Sequence, residues 1–157
     1  MKKLQQDMIP IKVKQRTLIK ASNPPSSPPQ ATVSNLDLIF GHFQISLISI
    51  YPTSSSPFEN IISTIQTNLP AFLNHFYPFT GRIRQDPVTN LPSLICDNSG
   101  AEFVIAESET PLCNIDFGDL DQSLHQIQIP FGLDLPLSLQ LVRFACGGFS
   151  VSWSTSH

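Results

Sequence analysis

The stretch LSLQLVRFACGGFSVSWSTSH, residues 137–157, constrains the fold more than any other part of the chain. It holds two runs of alternating side chains on either side of a glycine pair. In the second run Phe149, Val151, Trp153 and Thr155 are separated by single serines. Alternation with period two places such residues on one face of an extended strand. Gly147-Gly148 has the chemistry of a two-residue hairpin turn, because glycine tolerates positive φ. The pattern predicts two adjoining strands, 137–146 and 149–157, with His157 on the same face as Phe149 and Trp153.

Other stretches supply neighbours for this pair. In IPIKVKQRTLIK, Ile11, Val13, Thr17 and Ile19 alternate with Lys12, Lys14, Arg16 and Lys20. That predicts a half-buried strand with a lysine-rich outer face, a common protection for a sheet edge. Residues 21–34 form a Pro/Ser-rich connector without periodicity. FQISLISIY (43–51) reads as a strand with Phe43, Ile45, Leu47 and Tyr51 on one face and Ile48 and Ile50 on the other. A helix follows. Ser56 stands as its N-cap, Pro57 at its first position and Glu59 three residues after the cap, the pattern of a capping box. Apolar residues then recur at Phe58, Ile61, Ile62, Ile65, Leu69, Phe72, Leu73 and Phe76, up to about Tyr77. Pro70 lies inside this stripe and predicts a kink or break near Asn68. PSLICDNSGAEFVIAE (92–107) reads as a hairpin around DNSG, and 113–136 as mostly loop. The fold class is therefore α/β, a mixed β-sheet with one long covering helix.

With 157 residues the chain is one domain. Charged residues make up 13%, against about 25% in an average soluble domain, so the surface is suited to being covered by another. Residues 1–20 hold six of the nine basic side chains; the remainder carries three basic and eleven acidic ones. A body this acidic has no patch to neutralise phosphates, which excludes nucleic acid as a partner. No apolar run reaches the length of a membrane span or of a secretory leader. Cys96, Cys113 and Cys146 are odd in number and widely spaced, which reads as reduced, mostly buried thiols in a cytoplasmic protein.

The search for catalytic motifs among the residues is mostly negative. There is no G-x-S-x-G, Walker loop, G-x-G-x-x-G or H-E-x-x-H. His42, His75, His125 and His157 show no metal-ligand spacing, and no metal is expected. Arg82, Arg84 and Arg143 are the only basic residues after residue 20; Arg82, after the helix end and Gly81, reads as structural. Asp37 beside Asn35 reads as a turn-former.

Four stretches, in order, resemble the N-terminal half of the plant BAHD acyltransferases, the acyl-CoA-dependent HxxxD family. VSNLDL (33–38) is similar to the family's leader, LPAFLNHFYPFTGRI (69–83) to its helix end with Tyr-Pro and Gly-Arg, LICDNSGAEFVIAE (94–107) to the hairpin that follows, and LQLVRFACGGFSVSWSTSH (139–157) to the strand pair that delivers the catalytic histidine. The likeness covers about residues 11–157. It implies a chloramphenicol acetyltransferase-like half-domain, incomplete here, and assigns 1–157 as a truncated N-terminal acyltransferase domain. The family motif is His, three residues, then Asp; this sequence reaches only the His. Some members carry two adjacent histidines, the second being catalytic. Ser156 stands where the extra histidine would precede His157, which favours His157 as the catalytic residue over the first of a pair.

The resemblance implies transfer of an acyl group from a coenzyme A thioester to an alcohol or amine of a plant metabolite. Acyl-CoA is a co-substrate, no cofactor stays bound, and the full-length parent is expected to be a cytoplasmic monomer. The 157-residue chain is expected to be a fragment and inactive alone. The alternative is a non-catalytic interaction protein or regulatory half-domain.

Overall fold

The chain runs through β1 (Ile11–Ile19), β2 (Gln44–Tyr51), α1 (Phe58–His75), a 3-10 turn (Tyr77–Thr80), β3 (Arg82–Gln85), β4 (Pro92–Ile95) and β5 (Ala101–Ser108). A second 3-10 turn (Leu112–Asn114), α2 (Leu120–Ile127), β6 (Leu137–Phe144) and β7 (Phe149–Ser156) follow among the described residues. The structure is a computed structural model that describes residues 9–27, 44–52, 54–118 and 120–156. Residues 28–34 of the connector, the VSNLDL stretch, His42, Phe43 and His157 lie outside the described residues.

Among the described residues, five strands form one mixed sheet in the order β1-β5-β6-β7-β2, and β3 pairs with β4 in a separate ribbon. Of the described strands only β5 and β6 run parallel. Parallel neighbours need a long crossover, and residues 109–136 provide it. Residues 113–136, most of this crossover, were expected to be mixed and mostly loop. They contain α2, whose last residue, Ile127, is fully buried beneath the sheet with Ile129, Leu112 and Ile115. The opposite face is covered by α1. Leu69 and Leu73 sink into a core with Phe103, Ile105, Leu137, Leu139 and Leu141, and Phe58, Ile61, Ile62 and Ile65 flank it. The apolar stripe of α1 therefore meets the apolar residues of β5 and β6, as its period requires.

Local readings differ from the structure in five places. First, the β6–β7 loop has three residues, Ala145–Gly147. Gly147 stands at φ +83°; its N–H donates to Phe144 O at 2.9 Å, and Phe144 N–H donates to Gly148 O at 2.8 Å. This is the turn-plus-left-handed-residue loop, and it adds a residue to the two-residue turn. Second, β1 does not keep one alternation. A bulge between Val13 and Gln15 leaves Lys14 unpaired in the register. Ile11 packs with the α2 side of the sheet, whereas Ile19 packs with the α1 side, because one extra residue reverses every side chain beyond it.

Third, no capping box forms. Pro57 is the N-cap and no side chain caps it. The Ser54 hydroxyl donates to Ser56 O at 2.8 Å and accepts from Ser56 N–H at 3.1 Å, while Glu59 accepts from Arg143 of β6 at 3.3 Å. Fourth, α1 continues through Pro70 without a break. The Asn68 side-chain amide donates to Thr64 O at 2.8 Å, and the burial of Leu69 and Leu73 holds the turns on both sides. Fifth, residues 92–107 are not a hairpin. β4 pairs with β3, and β5 lies between β1 and β6. Asn98, at φ 54°, accepts from Ala21 N–H at 2.9 Å and donates to Ala21 O at 3.3 Å. The DNSG turn is tied to the end of β1 and carries the chain from one sheet to the other.

Candidate functional site

β7 leads to the candidate base, and its position is fixed from both sides. It pairs antiparallel with β6 from Leu137↔Thr155 to Arg143↔Phe149. With β2 it pairs from Gln44↔Ser156 to Tyr51↔Phe149 without a shift. Two unbroken ladders leave β7 no alternative register. His157 follows directly in the chain and lies outside the described residues.

The face of β7 that carries Phe149, Val151, Trp153 and Thr155 is apolar and lies under α1. Phe149 stacks on Tyr51 of β2 with centroids 4.7 Å apart, and Phe58 tilts onto it at 5.9 Å. Nearer His157, Trp153 meets Phe72 at 5.7 Å, and Phe72 stacks on Phe76 at 4.6 Å. Rings at these spacings add to the burial of their area, and they clamp the strand along its length.

The opposite face is polar yet buried. Ser150, Ser152 and Ser154 are all without exposure. Ser154 shares a hydrogen bond with Ser46 of β2 at 2.8 Å and accepts from Gln128 at 3.3 Å. The hydroxyls of Ser150 and Ser152 have no hydrogen-bond partner among the described residues. On β6, Gln140 accepts from Ile129 N–H at 2.8 Å and donates back to Ile129 O, which fixes the crossover against the sheet. Ser138 donates to Glu102 at 2.6 Å, and Glu102 is paired with Arg16 of β1. Buried carboxylates require this kind of partnering. The signal for the polar row was in the sequence, in the serines of FSVSWSTS and the Ser and Gln of LSLQL. Its alignment across strands depends on register, which no single strand encodes.

The other residues considered from sequence do not converge on a site. His75 is exposed in the last turn of α1, and His125 is exposed in α2. Arg82 is buried and donates to Gly81 O at 2.6 Å and Gly100 O at 2.8 Å, with Asp134 at 3.9 Å; it ties the ribbon to the main sheet. Arg143 pairs with Glu59, and Arg84 is exposed. Among the described residues no cluster of His, Cys, Asp or Glu could hold a metal ion. No helix of the described residues is long and apolar enough to cross a membrane.

The thiols are free, but they are not mostly buried as expected: Cys96 is buried, whereas Cys113 and Cys146 are exposed. Burial, and then the Asp97 charge, pushes the Cys96 thiol up. Cys146, at the hairpin tip, is held below the usual thiol range by backbone N–H groups of Leu112 and Gly148.

Comparison with known proteins places this geometry. Vinorine synthase of Rauvolfia serpentina is 29% identical over 162 residues, covering 93% of this chain and 37% of that protein. Anthranilate N-benzoyltransferase protein 1 of Dianthus caryophyllus is 32% identical, covering 94% of this chain and 36% of that protein. The crystal structure of vinorine synthase superimposes with a TM-score of 0.78 at 27% identity, covering 94% of this chain and 38% of that one. The chloramphenicol acetyltransferase-like half-domain expected from the sequence is thereby confirmed. The chain spans less than two fifths of the length of these relatives. The model of the Transferase family matches residues 9–157, and with the fold and the relatives in agreement this chain belongs to that family, the plant BAHD acyltransferases.

Proposed function

We propose that the chain is part of an enzyme that moves an acyl group from a coenzyme A thioester to an alcohol or amine of a plant metabolite, with His157 as general base. The observation that carries this reading is the registered position of β7: a strand held by two ladders and a row of aromatic rings delivers the chain to His157. The membership of residues 9–157 in the family supports it.

The chemistry asks little of the protein. A thiol leaving group has a pKa of about 8.5, so a thioester is already activated and no covalent enzyme intermediate is needed. The imidazole of His157, with an ordinary pKa of about 6.5, takes the proton of the acceptor's O–H or N–H as that atom attacks the carbonyl carbon. The carbon–sulfur bond then breaks, and the imidazolium returns the proton to the departing thiolate. The protein keeps no proton and needs no resident cofactor. Acyl-CoA and a small acceptor are the partners, and the cytoplasm, where free thiols persist, is the compartment.

The 157-residue chain supplies one wall of such a site, and turnover requires further residues. Supplied with acetyl-CoA and an alcohol acceptor, the 157-residue chain is expected to release no thiol above the uncatalysed rate. In a protein extending beyond His157, the change His157→Ala is expected to lower the rate by roughly 10²–10⁴-fold. Thiol release by the 157-residue chain would overturn the need for further residues. An unchanged rate in the longer protein carrying His157→Ala would overturn the assignment of the base.

A further inference from the structure

The buried serines of β7 are alike in burial and unlike in bonding. Ser150, Ser152 and Ser154 lie on one face of one strand, and none of the three is exposed. The hydroxyls of Ser150 and Ser152 have no hydrogen-bond partner among the described residues. The Ser154 hydroxyl has two, from two different elements. It shares a hydrogen bond with the Ser46 hydroxyl of β2 at 2.8 Å and accepts from the Gln128 side-chain amide at 3.3 Å. Both partners are themselves held. Ser46 stands directly opposite Ser154 in the β2–β7 ladder. Gln128 lies between Ile127 and Ile129, both buried. Its N–H donates to Leu124 O at 3.1 Å, and Gln140 binds both the N–H and the O of Ile129. On the other side of β7, Ser138 of β6 opposes Ser154 and donates to Glu102.

The place of this junction is as telling as its bonds. The β6 ladder ends at Thr155 and the β2 ladder at Ser156, and the end of a ladder opens more easily than its middle. At the start of β7, rings stacked on Phe149 hold the strand. Toward its end, Phe72 holds Trp153 on the apolar face, and the next residue, Ser154, is bonded on the polar face. From this arrangement we infer that Ser154, with Ser46 and Gln128, forms a positioning site for His157, three residues further along the chain. The three side chains fix the end of β7, so that the base leaves the sheet from one place. They are positioning residues and not catalytic ones, since they act through the backbone of the strand. The inference rests on the reading of His157 as the base. A general base works only within hydrogen-bond reach of the proton it takes, and a misplacement of about 1 Å can cost roughly 100-fold in rate.

The test makes one substitution at three positions. Ser150→Ala, Ser152→Ala and Ser154→Ala remove the same atom from the same buried face, and only the last removes the bonds to Ser46 and Gln128. In the 157-residue chain, Ser154→Ala is expected to make the amides of Thr155 and Ser156 exchange roughly 2–10-fold faster, the loosening that one lost hydrogen bond permits. The other two variants are expected to leave those amides unchanged. At Ser46 a pair of substitutions of one shape separates the hydroxyl from packing: Ser46→Val is expected to behave as Ser154→Ala does, and Ser46→Thr as the wild type. In a protein extending beyond His157, Ser154→Ala is expected to lower kcat by about 10-fold or more while KM for acetyl-CoA changes little. There Ser46→Thr keeps the kcat that Ser46→Val loses. Exchange at Thr155 and Ser156 that ignores Ser154→Ala, or equal effects from all three alanine variants, overturns the positioning role. So does a kcat that Ser154→Ala leaves unmoved where His157→Ala lowers it. A rate unmoved by His157→Ala removes the base itself, and this inference with it.

Discussion

At Gly147 an added Cβ would meet nothing within 4 Å, but the residue stands at φ +83°. Its neighbour Gly148 has no unusual φ, yet a Cβ there would lie 2.5 Å from Leu112 Cδ1 and 2.8 Å from Pro52 O. One glycine is required for conformation and the other for space. Gly147→Ala is expected to cost about 1–2 kcal/mol, and Gly147→Asn less, since asparagine enters the left-handed region. Gly148→Ala is expected to cost about 1–3 kcal/mol through overpacking, and Gly148→Asn more. Urea unfolding of the four variants separates the two causes. Cys96 yields a prediction about pH. Its folded-state pKa is raised by burial, so its contribution to stability is complete below the unfolded value of about 8.5. That contribution is lost as pH rises through the higher folded value. Cys146, held down by backbone N–H groups, titrates with the opposite sign. Cys96→Ala is therefore expected to flatten the alkaline fall in stability relative to wild type, and denaturant midpoints measured from neutral to alkaline pH check this.

α1 was legible because its signal is local: a 3.6-residue stripe from Phe58 to Phe76 predicts a helix whichever sheet it meets. What its ends and flaws do was not legible. Glu59 could not be known to pair with Arg143, 84 positions away, and so the capping box reads well and does not form. Pro70 predicts a kink or a break near Asn68; the helix is continuous there, and the core beneath Leu69 and Leu73 holds the turns on both sides. The proline should still lower stability, because Gln66 O loses its backbone donor. Pro70→Ala is expected to raise stability by about 1–3 kcal/mol, read from the thermal midpoint; an unchanged or lower midpoint would show that the ring's packing outweighs the missing bond. β1 shows the same limit. Alternation read on one strand assigned Ile11 and Ile19 to one face, and the bulge that parts them exists only in the pairing with β5. Likewise DNSG has turn chemistry, but only its ties to Ala21 decide that it joins two sheets. Element existence follows from local pattern, and element partners follow from contacts distant in sequence.

Across the whole molecule the sheet has two unlike faces, one apolar under α1 and one bearing a buried row from Glu102 through Ser138 and Gln140 to the serines of β7. The apolar face and the paired ladders set β7, and β7 sets the point in space from which His157 departs. The family and the fold could be read from the last strand and the helix end, because those stretches carry both the folding pattern and the motif. The polar row could not, since its alignment is a property of registered strands. His157 is proposed as the base of an HxxxD-type acyl-transfer site. Peptide mass spectrometry of the protein isolated from its natural source tests it most directly. Peptides that extend beyond His157 and place an aspartate four positions after it are expected. A natural protein whose C-terminal peptide ends on His157, or whose extension carries no such aspartate, would contradict it.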